Sequence, residues 1–354
     1  MFFKRLLYFL PIPLIMLSVN FIKDPANLFN AKYEAGIADY LVQGYNVTNV
    51  RNYNERLLQK FFIEKMNTCP TEIILGSSRV MQVKATDTKN PGFINNGVSA
   101  ASLEDMMAIY YLYEKKGCKI KKVIMGLDPW LINDNHDQQK WKSLATEYNK
   151  FSAQLIKSHP FNASLSRFYQ YERLSELLSF SYFQTSVSYI IKGVDKTYEP
   201  TTKIENEGFT KLKDGSIFYD RPYREVSLME VDDKAKSVIK EKPVKACGNF
   251  TNLSEHYRGI FTKFVEHLQS KGIEVEFFMS PFHPIVYDFF RKNTVYQNVL
   301  GAEAYFRDYA KKRKIKVFGS YNPRDYNFDS SYFLDGLHCT DKARTIILKK
   351  EITL

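Results

Sequence analysis

The sequence is short of several things, and each shortage narrows the field. Of its 354 residues only two are Trp, six are His and four are Cys, with no CxxC among the cysteines. No metal site is therefore expected, and no thioredoxin-like redox motif is available. Neither a Walker loop nor a GxGxxG occurs, which removes the usual cradles for nucleotide phosphates; no cofactor is expected. No unit recurs with a period of roughly 20–50 residues, which argues against a solenoid or a propeller. Only one stretch is apolar enough to cross a bilayer, so the chain is not a multi-span transporter. A basic stripe interleaved with aromatics is also missing, and nucleic acid is not an expected partner.

What is present belongs to a packed protein. Hydrophobic residues make up 44% and charged ones 25%, which excludes wholesale disorder. The 24 Tyr and 27 Phe supply ample material for a core. The length suits one elaborated domain or two modest ones. Fifty Lys and Arg against 39 Asp and Glu leave a net charge of +11. That excess sits in short clusters such as Lys115-Lys116, Lys121-Lys122 and Lys311-Lys312-Arg313. Each cluster reads as a solvated face, and together they suit an anionic membrane or acidic glycopolymer nearby.

The N-terminus carries the membrane signal. Leu6–Ile22 is an uncharged run of 17 residues preceded by Lys4 and Arg5. With its flanking phenylalanines it approaches the roughly 20 residues of a spanning helix. Pro11 and Pro13 would kink such a helix without forbidding it, and the basic flank places the N-terminus in the cytoplasm. No small-residue cleavage pattern follows, so residues 1–23 are expected to be an uncleaved single-pass anchor with everything after it extracytoplasmic. Four cysteines agree with an oxidising compartment. Cys69 and Cys118 each lie just ahead of a predicted strand, so parallel pairing would bring them together and leave Cys247 for Cys339; three pairings are open on sequence grounds.

Beyond the anchor, residues 24–67 read as an extended lead followed by a helix around Asn54–Met66. From residue 68 strands and helices alternate. Thr71–Gly76, Gly92–Asn95, Lys121–Leu127, Glu274–Met279 and Lys314–Phe318 are short apolar runs of the buried parallel type. Between them lie helical patterns at Ser102–Lys116, with Ser102 as N-cap and Gly117 past its end, at Asn252–Lys271, and at Ala302–Lys312. A last helix covers Asp341–Glu351. The alternation predicts an α/β fold, a doubly wound parallel sheet flanked by helices. Residues 131–250 break the rhythm as a mainly helical insertion, with helical spacing over Asn162–Lys192, a hairpin over Phe209–Tyr219 around Asp214-Gly215 and a polar surface connection over Asp220–Lys245. The insertion reads as a cap over a site within one domain, residues 68–354.

Ligands of open α/β sheets bind beyond the carboxyl ends of the strands. Those ends read Gly76-Ser77-Ser78-Arg79, Asn95-Asn96-Gly97-Val98-Ser99, Gly126-Leu127-Asp128-Pro129-Trp130 and Ser280-Pro281-Phe282-His283, and Leu334-Asp335-Gly336-Leu337-His338 follows the last strand. A serine at a strand-to-helix turn has an exposed hydroxyl beside amides that suit a developing oxyanion. It needs a base, and the base needs a carboxylate to orient it. Asp335 and His338, three residues apart, can present both to one hydroxyl. Arg79, Trp130 and His283 are candidates for substrate contact: Arg79 for an anionic group, Trp130 as a wall for a sugar, and His283 as a strand-end donor. Each of the three has a purely structural alternative.

Gly-x-Ser early and Asp-x-x-His last resemble the SGNH/GDSL hydrolase superfamily over about residues 68–130 and 250–354. Gly76-Ser77-Ser78 without the usual Asp, together with Asp128-Pro129-Trp130, looks like the membrane-anchored branch that modifies cell-surface polymers, including the teichoic acid D-alanyl transfer and alginate O-acetylation proteins. The resemblance implies Ser78 as nucleophile, His338 as base and Asp335 as its orienting carboxylate. It implies an oxyanion hole from the Ser78 and Gly97 amides; the third block carries Gly126-Leu127-Asp128-Pro129 where the family has Gly-x-Asn-Asp, and Asn95 or Asn96 is the candidate to stand in for the missing side chain. The expected activity is O-acetyl transfer to an extracytoplasmic polysaccharide through an acyl-serine, with the donor delivered by a multi-span membrane acyltransferase. A plain carbohydrate acetyl esterase and a non-catalytic glycan-binding or scaffold protein are the alternatives.

Overall fold

The run Glu72–Leu75 is buried along its whole length, as a strand covered on both faces must be. In the computed structural model, which describes residues 10–25, 28–29, 31–156, 174–193, 197–241, 244 and 247–350, it is strand β2 of a five-stranded sheet. Its partners are β3 (Phe93–Asn95), β4 (Lys122–Gly126), β8 (Glu274–Met279) and β9 (Lys316–Gly319), in the order β3-β2-β4-β8-β9. Every pairing is parallel, so each connection is a crossover. Helices supply them: α4 (Leu103–Lys116) between β3 and β4, α8 (Glu255–Ser270) before β8, and α9 (Pro284–Lys292) and α10 (Gln297–Arg313) before β9; α5 (Ala145–Leu155) opens the insertion and α11 (Asp341–Lys349) follows β9. The mixed α/β architecture with a helix-flanked parallel sheet is as expected.

Local signals account for the elements that were legible. Ser102 accepts from the Asp105 amide as the N-cap of α4, and Gly117 closes the helix at φ 79°. A disulfide joins Cys69 to Cys118 across a sequence separation of 49, tying the entrance of β2 to the entrance of β4. Cys247 and Cys339 do not form the second bridge; both are free and buried. Cys339 Sγ packs on Ser280 Oγ at 3.5 Å under the end of β8, whereas Cys247 lines a cavity beside Ser78.

Two expectations are corrected, and a third is met only in part. The lead is not extended: α2 (Lys32–Val42) precedes α3 (Glu55–Lys65). The polar connection after residue 220 contains α7 (Leu228–Lys240), capped by Ser227 with Glu230 and buried only at Val231, Ala235 and Val238. Three apolar positions at helical spacing suffice, since the rest of its surface faces water. The described part of the N-terminal run is α1 (Pro11–Lys23), 13 residues with proline in the first turn. At 1.5 Å per residue that is about 20 Å, short of the ~30 Å of hydrocarbon. Among the described residues no helix is long and apolar enough to cross a membrane. Lys4, Arg5 and the front of the run lie outside the described residues, as does part of the helical pattern after Asn162, whose described end is α6 (Phe180–Ile191).

Lead and insertion are joined. A second, antiparallel sheet has the order β5-β1-β6-β7, with β1 (Asn46–Thr48) from the lead and β5 (Glu199–Thr201), β6 (Thr210–Lys211) and β7 (Ile217–Phe218) from the insertion. The β6–β7 hairpin turns at Gly215, φ 79°, where a Cβ would stand 2.3 Å from the Asn95 carbonyl oxygen. Only glycine lets its tip dock on the end of β3, and there the Asn95 amide donates to the Asp214 carbonyl at 2.7 Å.

Candidate active site

The first strand end makes room for a sharp turn. A Cβ on Gly76 would lie 3.1 Å from the Gly126 Cα, and one on Gly126 would lie 2.4 Å from Val80. Two facing glycines thus let β2 and β4 approach closely where the chain leaves the sheet. The turn that follows is closed by the Val80 amide on the Ser77 carbonyl at 3.1 Å and the Met81 amide on the Ser78 carbonyl at 3.3 Å. Ser77 is buried, and Ser78 is half-buried with its hydroxyl at the surface of a cavity.

Across that cavity stands the loop after β9. Asp335 Oδ1 accepts from the Leu337 amide at 2.7 Å and the His338 amide at 2.8 Å, so the carboxylate caps its own turn. His338 Nδ1 lies 2.9 Å from Asp335 Oδ2, and His338 Nε2 lies 2.8 Å from Ser78 Oγ. Serine, histidine and aspartate, 260 residues apart at the extremes, form one hydrogen-bonded chain. The two Asp335 oxygens fix the imidazole proton on Nδ1, leaving Nε2 to accept from the serine. Burial alone would push the Asp335 carboxyl up, but His338, the Tyr223 hydroxyl and the Leu337 amide hold it well below the usual carboxylate range.

Tyr223 was not anticipated. Its hydroxyl donates to Asp335 Oδ2 at 2.5 Å and lies 3.1 Å from His338 Nδ1. Burial, with the Asp335 charge beside it, pushes the phenol far above its ordinary value, so it remains a donor. Tyr219 packs between, 4.5 Å from the Tyr223 ring and 6.1 Å from the His338 ring, centroid to centroid. Both tyrosines come from the insertion, at the exit of the β6–β7 hairpin. Their only sequence signal is that position, just past a predicted hairpin. The lead contributes as well. Glu55 Oε1 accepts from Ser99 Oγ at 2.8 Å, and Arg56 donates to the Ser99 carbonyl at 2.9 Å while forming a buried two-bond pair with Asp105. The first turn of α3 thus holds the loop facing Ser78.

The expected oxyanion donors fare differently. The Gly97 amide is occupied by Asn95 Oδ1 at 2.8 Å. Asn96 turns inward, its amide on Gln59 at 2.8 Å and its carbonyl oxygen taking the Tyr113 hydroxyl at 3.0 Å. Asn95 is a brace: its amide holds the Val80 and Val83 carbonyls, each at 2.8 Å, and pins the Ser78 turn to β3. Among the described residues no acceptor takes the amides of Ser78 or Ala100. Ala100 lines the cavity and has φ 51°, a strained setting for a residue with a Cβ.

Asp128, at the third block, is sealed away. Arg79 Nη1 donates to its Oδ1 at 2.8 Å, and the second guanidinium nitrogen donates to the Ser280 carbonyl. Burial pushes the Asp128 carboxyl up, against the pull of Arg79 and Ser77. Arg79 lines the cavity beside Ser78, but its guanidinium is buried, paired with Asp128 and stacked 4.0 Å over the Phe282 ring. His283 is fully buried and caps α9, its Nδ1 accepting from the Ile285 amide at 3.2 Å; burial pushes its pKa down despite Asp232 nearby. It does not reach the cavity. Trp130 does: it lines the wall while its indole donates to the Ala101 carbonyl at 2.9 Å.

The cavity beside Ser78 and His338 is about 210 Å³ and is walled by Trp130, Cys247, Phe290 and Leu337. Burial pushes the Cys247 thiol up to about 12, so it is a neutral wall. Larger clefts of about 720 and 800 Å³ lie elsewhere and contain none of the three groups; chemistry, not size, picks the site. Among the described residues no group of three or more His, Cys, Asp or Glu is arranged to hold a metal ion. In comparisons with known proteins, no family model matches the chain and no curated sequence matches it.

Proposed function

We propose that the protein is a serine acyltransferase or esterase of extracytoplasmic polysaccharide, tethered at a membrane, that carries an acetyl group through Ser78. The hydrogen-bonded chain from Ser78 Oγ through His338 to Asp335 carries the reading. Ser78 Oγ attacks the acyl carbonyl as His338 Nε2 takes its proton. The collapsing tetrahedral intermediate expels the donor's leaving group, which receives that proton. A sugar hydroxyl, or water, then attacks the acyl-serine with His338 again as base and frees Ser78. The Ser78 and Ala100 amides are the available oxyanion donors. Asn95 and Asn96 turn away to other partners, and without the side-chain amide of the resembling family the site should be slow, since one missing donor costs ~10²–10³ in rate.

A cavity of about 210 Å³ beside the serine suits a short acyl group. The Cys69–Cys118 disulfide supports an oxidising compartment outside the cytoplasm. The resemblance to surface-polymer acylating proteins supplies the polysaccharide acceptor and a multi-span partner as donor. The test is acetate release from an activated acetyl ester, with mass spectrometry of Ser78. Wild type should gain the mass of one acetyl group on Ser78, and Ser78→Ala and His338→Ala should each lose about 10⁴-fold in turnover. Acceleration by added oligosaccharide would mark transfer over hydrolysis. A folded wild type that neither releases acetate nor forms the adduct would overturn the reading in favour of a non-catalytic glycan-binding protein.

A further inference from the structure

Helices α1 and α6 pack against each other inside out. The side chains buried between them are polar: Asn20 and Ser186 are both fully buried, and Asp24 is nearly so. Ser186 Oγ donates to Asn20 Oδ1 at 3.1 Å, Asn20 Nδ2 donates to the Leu177 carbonyl at 2.9 Å, and the Tyr182 hydroxyl donates to Asp24 at 2.7 Å. Because residue 20 meets 186 and residue 24 meets 182, the two helices run antiparallel. Met16, Leu17, Val19, Phe183 and Val187 are half-buried, and the other large apolar side chains of the pair are left strongly exposed. Of the sixteen strongly exposed large apolar side chains among the described residues, six lie on Leu10–Ile22 and five on Leu174–Ile191. Ile22 is 75% exposed, Phe180 63% and Ile191 79%.

In water a helix pair hides its apolar faces and wets its polar ones. The opposite arrangement, with polar side chains as glue and apolar ones outside, is what helices adopt when the surroundings are hydrocarbon. Charge agrees. PIPLIMLSVNFIK and FSYFQTSVSYII contain no acid and a single charge, Lys23, and the net charge of +11 suits an anionic surface. The pair is also tied to the body of the protein, since Asn52 donates to the Tyr189 hydroxyl at 2.6 Å.

We infer that α1 and α6 together form one lipid-contacting face, so that the insertion as well as the N-terminus enters the bilayer interface and the Ser78 site is held at a set height above it. The occupant is a phospholipid bilayer. This inference shares the membrane setting of the proposed function but does not rest on acyl transfer.

The experiment uses the full chain and vesicles of phosphatidylethanolamine with phosphatidylglycerol. The parent should float with the vesicles, and Phe180→Glu with Ile191→Glu should lower the bound fraction about 10-fold or more. Both side chains are exposed, so the fold should survive, and circular dichroism and the urea midpoint, compared with the parent's, check that it does. A single Ile191→Trp should in addition be quenched by brominated phosphatidylcholine beyond the parent's background. The inference fails if the parent does not float, or if the folded double variant floats as well as the parent. It fails equally if Trp at 191 is not quenched, or if the face instead drives concentration-dependent self-association with no lipid bound. Vesicle binding without any Ser78 adduct would leave this inference standing and remove only the proposed activity.

Discussion

At Tyr223 one oxygen atom touches both members of the acid–base pair, 2.5 Å from Asp335 and 3.1 Å from His338. Removing that oxygen alone, in Tyr223→Phe, keeps the ring packed on Tyr219 and loses one hydrogen bond to a charged group. Such bonds contribute about 1.5–3 kcal/mol, so kcat should fall by about 10-fold with KM nearly unchanged, read by acetate release. An unchanged kcat would make Tyr223 a packing residue only. Asp128 poses the reverse question, because Asn at this position would restore the side chain found in the resembling family. Arg79 and Asp128 are an almost fully enclosed pair, and Asp128→Asn would leave the guanidinium charge without its counter-ion. Breaking such a pair costs about 3 kcal/mol or more. Asp128→Asn should therefore lower the urea midpoint and not raise the rate. A faster and equally stable variant would show that position 128 can reach the oxyanion after all.

Among the elements, β6 contains an unusual burial. Lys211 sits in a two-residue strand at 2% exposure, and burial pushes its pKa from 10.5 down to about 8, against the pull of Glu55 and Asp214. The unfolded chain therefore binds a proton that the folded one releases between those two values. Stability should rise with pH across that window and be depressed below it, by about 3 kcal/mol at neutral pH. Lys211→Met should raise unfolding stability at pH 7 and flatten the rise between pH 8 and pH 10.5 in urea titrations. An unaltered pH slope would mean that Lys211 keeps its charge in the fold.

What could be read from the sequence follows from where each signal lies. The parallel strands were legible because each is a short apolar run buried on both faces, and α4 because Ser102 and Gly117 mark its ends. Ser78, His338 and Asp335 were legible because strand ends carry the chemistry in such sheets. α7 was not, since only three of its positions are buried. The pairing of Val47 with Pro200 and Lys211 was not either. Partners so distant in sequence leave no local pattern, and the same distance concealed Tyr223.

On the scale of the whole molecule, that long-range sheet makes the lead part of the site. β1 lies between β5 and β6, and the hairpin beyond β6 docks on the Ser78 turn through the Ile217 amide on the Met81 carbonyl at 3.0 Å. The hairpin then delivers Tyr219 and Tyr223 to His338. From the other side, Glu55 and Arg56 hold the loop opposite. Two truncations separate these roles. Removing residues 1–25 takes away α1 and its hydrogen bonds to α6 but leaves both sheets complete, so the Ser78 adduct should still form. Removing residues 1–50 also takes out the central strand of the small sheet, so β5 and β6 lose their only common neighbour. The hairpin should then detach, new proteolytic cuts should appear between residues 197 and 225, and adduct formation should fall at least as far as in Tyr223→Phe. If the longer truncation keeps full activity and resists cleavage there, the dyad is held by the five-stranded sheet alone and the small sheet serves some other purpose.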